Sequence, residues 1–243
     1  MNIVKKFING DVSKIVVTIP EGYTSAMIAD LLEKSKVCTK KDFLAAARDH
    51  DFARSLGIDA QSLEGFLFPD TYYFQEDEKP KEIAATMVAQ FKKSISRIVP
   101  FDSLKFSDLF AKVTLASIVE REYRIPAEAP LIASVFFNRL KIGMALQSCA
   151  TVVYVMTEQY GMPHPDIVYY SDLSLKSPYN TYLHRDLPPG PISNPGMVSL
   201  NAVFNPAKSD YLYFRLADPA NGMHIFSKTF QEHSLAATRV KGF

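Results

Sequence analysis

The apolar positions of the chain change period several times along its length. Residues 14–20 (KIVVTIP) form a short β-branched run that predicts a strand, and Glu21-Gly22 after it reads as a turn. Thr24 then caps SAMIADLLEKS, where Met27, Ile28, Leu31 and Leu32 keep helical spacing. A second short helix, capped at Thr39, covers DFLAAARDH. Residues 63–74 (LEGFLFPDTYYF) are apolar and aromatic, but Gly65 and Pro69 interrupt them, so no long regular element is expected there. The charged QEDEKPKE that follows marks the boundary, dividing the chain into a small α+β unit, residues 1–75, and a larger domain, residues 76–243.

In the larger domain KEIAATMVAQFKKSISRIV and SLKFSDLFAKVTLASIVEREY carry helical patterns. A third helix should begin at Pro130 and stop near Gly143. Residues 177–196 (SPYNTYLHRDLPPGPISNPG) hold five of the fifteen prolines and can form neither a helix nor a central strand. A structureless stretch this long in a compact domain is usually functional. A short helix over 198–204, a strand over 211–217, a turn at 219–222, a strand HIFSK and a last amphipathic helix complete the pattern. The reading is an α+β protein with a helical core, a long Pro-rich loop and a short β-hairpin.

Composition narrows the classes. The 243 residues are 47% hydrophobic and 22% charged, ordinary globular values that exclude disordered, collagen-like and disulfide-scaffold chains. A formal charge of +1 gives no reason to expect nucleic acid or an anionic bilayer surface as partner. No apolar run approaches the roughly 20 residues of a membrane-spanning helix. The opening MNIVKKFINGDVSK lacks the apolar region of a signal peptide, so the chain as given reads as soluble. Cys38 and Cys149 lie far apart, in unlike contexts, and read as free thiols.

Several familiar chemistries are missing. No G-x-G pair, G-x-S-x-G or S-x-x-K occurs, and His50, His164, His184, His224 and His233 show no zinc-ligand spacing. No metal or cofactor is expected. Carboxylate chemistry remains, and its candidates stand at the end of the second long helix. Residues 109–119 (LFAKVTLASIV) are apolar on nearly every side, which implies burial all round. Glu120 follows, leaning over Val113, Ala116 and Ser117, near the negative end of the helix dipole; both effects raise a carboxyl pKa toward that of a general acid. Glu122, over Ile118 and Val119, is its rival, and periodicity does not choose between them. A Glu-Arg-Glu at a helix end is also a common solvated cap. Asp166, Asp172 and Asp186 could supply a second carboxylate, and Tyr179, Tyr182, Asn180, Thr181 and Ser177 could serve a sugar site or a rigid loop equally well.

ASIVEREY, PLIASVFFNRLKIGMALQS, TVVY, SPYNTYLHRDLPPGPISNPG, NPAKSDYLYF and HIFSKTFQEH resemble, in that order, the motifs of the YceG-like endolytic murein transglycosylases, and LEGFLFPDTYYF is similar to a further segment of that family. The resemblance runs from about residue 17 to 233. It implies a LysM-like module ahead of a catalytic domain that cuts peptidoglycan strands between N-acetylmuramic acid and N-acetylglucosamine. It also implies a bitopic membrane protein near the cell-wall synthesis proteins, of which this chain would be the soluble, extracytoplasmic portion. The family's acid, taken as the first Glu of its ASIVE-x-E motif, falls on Glu120, and Gln147, Ser148, Thr151, Tyr154, Tyr179, Asn180, Thr181 and Tyr182 match positions expected to line the cleft. Many members carry Asp-Pro where this chain has Cys149-Ala150. The implied mechanism leaves 1,6-anhydro ends without consuming water. A muramidase using the same Glu, or a non-catalytic wall-binding or division scaffold, are the alternatives.

Overall fold

The computed structural model describes residues 14–218 and 220–240, with the side chains of 237–240 left aside. Most of the charged opening segment, and Pro219 in the expected turn, lie outside the described residues. β1 (Ile15–Thr18) pairs antiparallel with β2 (Thr71–Phe74), Val17 opposite Tyr72. Val17, Tyr72 and Phe74 point into the core while Val16 and Tyr73 face outward, the period-two alternation of a half-buried ribbon.

Between the strands lie α1 (Ser25–Lys34), α2 (Lys40–Ala47) and α3 (His50–Ser55). Thr24, Thr39 and Asp49 cap them, each side chain accepting a backbone N–H. Asp49 therefore ends the single helix expected over DFLAAARDH and begins a new one. α4 (Pro80–Ile95) and α5 (Phe106–Glu122) follow, then α6 (Ala129–Lys141), which Gly143 ends at φ +66°. α7 (Cys149–Tyr154) runs into a π-helical turn, Val155–Gln159, and neither was expected. Residues 175–196 carry no helix or strand. α8 (Met197–Phe204) packs on α5 and α6; β3 (Tyr213–Asp218) and β4 (Met223–Ser227) pair antiparallel, and α9 (Phe230–Val240) lies against them. The class is α+β, and no helix of the described residues is long and apolar enough to cross a membrane.

One continuous cluster of buried side chains joins Val17, Ile28, Phe43 and Leu67 to Phe91, Ile118, Phe136 and Leu200. Phe66 is the plug between the two parts, edge-on to Phe91 at 5.1 Å and stacked near Phe106 and Phe110. Gly65, at φ +88°, makes this possible, since a Cβ there would sit 2.4 Å from Pro191 Cγ. Asn194 of the Pro-rich loop completes the joint. Its Oδ1 accepts from the N–H groups of Gly65 and Leu67, while Nδ2 donates to Tyr23 O and Glu64 Oε1. Its backbone N–H donates to Tyr23 O and its carbonyl accepts from Gly22 N.

Candidate active site

α5 carries the candidate acids because its sequence forces it through the core and then stops it. Leu109, Val113 and the run Leu115–Val119 are buried, and Arg124-Ile125-Pro126 cannot continue the helix. The Pro-rich loop straps the last turns: Ile192 N–H donates to Ser117 Oγ and Ser193 Oγ donates to Ser117 O. At 3.6 residues per turn, positions two apart point roughly 200° from each other. Glu120 and Glu122 therefore leave the helix on opposite sides.

Glu122 enters a cleft of about 820 Å³. α6, the loop before α7, the β3–β4 hairpin and α9 supply the other walls, with Gln147, Ser148, Cys149 and Tyr182 along one side and Arg139, Tyr213, Arg215, His224 and His233 along the other. The Ser148 hydroxyl donates to Glu122 Oε1, and Oε2 has no hydrogen-bond partner among the described residues. Burial raises the Glu122 pKa; the Ser148 bond and the positive charges of His224, Arg121 and Arg139 act against it. A carboxyl in this state can hold a proton at its working pH, release it and take one back. His224 is fixed beside it, because Glu128 Oε1 accepts its backbone N–H at 3.1 Å and Glu128 Oε2 lies 2.7 Å from Nδ1.

Glu120 points the other way. Its Oε2 accepts from Gly196 N at 2.8 Å and Ser199 Oγ at 2.5 Å, and its Oε1 accepts from the Tyr123 hydroxyl at 3.2 Å. Gly196 and Ser199 stand at the N-terminal turn of α8, where unpaired N–H groups and the helix dipole favour a carboxylate. Glu21, from the turn after β1, joins it there and accepts from Met197 N–H; part burial and then the Glu120 charge raise the Glu21 pKa. Glu120 does not line the large cleft.

The expected binding residues divide in the same way. Gln147, Ser148 and Tyr182 line the cleft, and Gln147 does so at φ 51°, a strained conformation for a residue with a side chain. Thr151, Asn180 and Thr181 are buried behind it. Thr151 and Thr181 hydroxyls lie 2.9 Å apart, and Thr181 Oγ1 accepts from Ser148 N, so the pair positions Ser148. Asn180 Nδ2 donates to the carbonyls of Leu173 and Leu175 and folds the loop. Tyr154 and Tyr179 pack against each other, ring centroids 5.0 Å apart, also outside the cleft. None of these five residues lines this cleft, because they are buried or packed on one another.

The Cys149 thiol lies 3.1 Å from the Tyr182 hydroxyl, and partial burial of the sulfur raises its pKa, which disfavours the thiolate that a nucleophile needs. Among the described residues no three His, Cys, Asp or Glu side chains converge as a metal site. Glu21, Tyr123, Glu128, Arg139, Ser199, Arg215 and His224 were not singled out as site residues from sequence. Only the fold brings them here, although the isolated Glu21-Gly22 turn and the charged residues of the hairpin were visible signals.

Comparison with known proteins agrees with this architecture. The chain is 36% identical over 235 residues to an endolytic murein transglycosylase of Bacillus subtilis, covering 90% of this chain and 63% of that protein. It is 31% identical over 240 residues to an endolytic murein transglycosylase of Streptococcus pneumoniae, covering 89% of this chain and 43% of that one. The chain thus spans less than two thirds of either relative. The crystal structure of a yceG-like protein from Listeria monocytogenes superimposes with a TM-score of 0.79 at 36% identity, over 96% of this chain and 80% of that one. The model of the YceG-like family matches residues 1–239, and the chain belongs to that family.

Proposed function

We propose that the chain cleaves murein glycan strands internally as a lytic transglycosylase, with Glu122, rather than Glu120, as its one general acid and base. The observation that carries this is a single carboxylate, oriented by Ser148 and with a burial-raised pKa, facing a cleft of about 820 Å³. Among the described residues that line the cleft it is the only Asp or Glu. Hydrolysis through a second carboxylate, as nucleophile or as water activator, therefore has no support. The names of the bacillary and streptococcal relatives favour the same reading.

In this mechanism Glu122 gives its proton to the oxygen between N-acetylmuramic acid and N-acetylglucosamine, and the bond from that oxygen to the muramoyl C1 breaks. The Glu122 carboxylate then takes the proton of the muramoyl C6 hydroxyl, whose oxygen bonds to C1. The products are a 1,6-anhydromuramoyl end and a new N-acetylglucosamine end, and Glu122 is again protonated. The cationic wall of Arg139 and His224 favours the transient Glu122 carboxylate.

The N-terminal unit, read as LysM-like, holds the strand beside the cleft; its antiparallel β1–β2 ribbon around α1 to α3 supports that reading. Murein lies outside the cytoplasmic membrane, so the reading puts the enzyme there, among the proteins that build the wall. Mass analysis of fragments from isolated strands is the test. Anhydro ends from the wild type and none from Glu122→Gln are expected; reducing ends would indicate a muramidase, and tight binding without fragments would indicate a scaffold.

A further inference from the structure

The overall charge of +1 conceals an uneven distribution. Arg121, Arg124, Arg139, Arg215, His224 and His233 line the cleft against the single carboxylate of Glu122. Three members of this set are already engaged, Arg121 among them through its bond to the Gly22 carbonyl. His224 is paired with Glu128, and Arg139 spends its guanidinium on the carbonyls of Leu212 and Leu146 and on the face of Tyr213.

Arg215 is different. It projects from β3 into the cleft and forms no ion pair or hydrogen bond with another described side chain, and its Nε is buried with no partner. The neighbouring His233 Nδ1 is buried without a partner among the described residues as well. His233 itself has a lowered pKa, first from burial and then from the charges of Arg215 and Arg139, so positive charge is crowded at this end of the cleft. A half-buried guanidinium left unpaired among like charges is a cost to the fold unless an anion completes it. The sugar rings of a glycan strand offer no charge. Its carboxylates sit on the muramoyl substituent, in the peptide stem or on the bare lactyl group.

We propose that the Arg215 end of the cleft, between β3 and α9, is a subsite for a carboxylate carried by the muramoyl substituent of the strand. This rests on the proposed substrate and goes beyond it: the enzyme reads the charge of the side branch as well as the sugar backbone. Arg215 binds one carboxylate oxygen or both through its Nη atoms, and the branch then fixes which muramoyl C1 comes to Glu122.

The test measures binding, at low salt, of the Glu122→Gln protein to three strand preparations: strands with peptide stems, strands bared by an amidase so that lactyl carboxylates are free, and stem-bearing strands whose carboxylates have been amidated. At least tenfold tighter binding of a carboxylate-bearing strand than of the amidated one is expected. Adding Arg215→Gln should remove that preference, while Arg215→Lys should keep part of it. Preference for the bared strands alone assigns the lactyl carboxylate, preference for stems alone assigns a peptide carboxylate, and preference for both assigns a subsite that takes either. Equal binding of amidated strands, or an undiminished preference in Arg215→Gln, overturns the proposal. Absence of cleavage by the wild type, read separately from fragment release, would overturn the catalytic reading and leave the binding preference standing.

Discussion

Glu120 and Glu122, two residues apart at the end of one helix, bond to different parts of the chain. Glu120 is held by Gly196 and Ser199 at the start of α8, and Glu122 by Ser148 in the cleft. One carboxylate is built into the scaffold and the other faces the cleft. Glu122→Gln should lower strand cleavage by about 10²–10⁴-fold with an unchanged melting temperature, the span of a lost general acid. Glu120→Gln should keep most activity and lose about 1–3 kcal/mol of stability, because the amide offers one acceptor oxygen in place of two and sets an NH2 against the donors on its other side, Gly196 N and Ser199 or Tyr123. Fragment release and thermal unfolding of both variants check this, and the opposite pattern would return the acid to Glu120.

Ser148→Ala removes the one hydrogen bond that favours ionised Glu122. The Glu122 pKa should rise, so the alkaline limb of the cleavage profile, where the acid is lost, should move to higher pH. Maximal cleavage should fall, since Oε1 is no longer held. A pH profile of initial rates measures both; an alkaline limb that stays in place would detach Ser148 from the acid.

Asn194→Ala should cost about 3 kcal/mol or more. Four hydrogen bonds disappear, and the Gly65 and Leu67 N–H groups are left buried without their acceptor. Chemical denaturation of the variant reads the loss directly.

Glu64 is fully enclosed and its pKa is pushed up to about 7, first by burial, against the opposing bonds from Ser25 and Asn194. A carboxyl whose folded pKa exceeds its unfolded one adds stability at low pH, and that contribution is lost as pH rises through the folded value. Stability should therefore decline between about pH 4.5 and 7 from this group, and Glu64→Gln should flatten that decline. Melting temperatures of both proteins across that range are the measurement.

Much of this architecture is legible in the residues. The apolar run ahead of Glu120 and the Arg124-Ile125-Pro126 stop define α5, and Pro130 with Gly143 brackets α6 to within a residue or two. α7 and its π-helical turn are not legible, because Ser148 at the N-cap turns its hydroxyl to Glu122 rather than to the helix, and the segment holds its shape through contacts with Ser177, Tyr179 and Thr181. The choice between the two acids is hidden for a related reason. Helical spacing says that Glu120 and Glu122 point apart, but what each meets is supplied by Ser148, Gly196 and Ser199, 26 to 79 positions along the chain. The Asn180 amide and the Thr151 and Thr181 hydroxyls expected to touch sugar are buried, since a Pro-rich loop of this length needs its own interior to hold a shape.

The knot at Asn194 has a mechanical consequence. It ties the turn after β1, the Phe66 plug and the loop that straps α5 into one body, so the N-terminal unit cannot swing while Glu122 stays still. If the unit grips a strand and Glu122 cuts it, the gap between grip and cut is a fixed length, and the protein works as a calliper on that polymer.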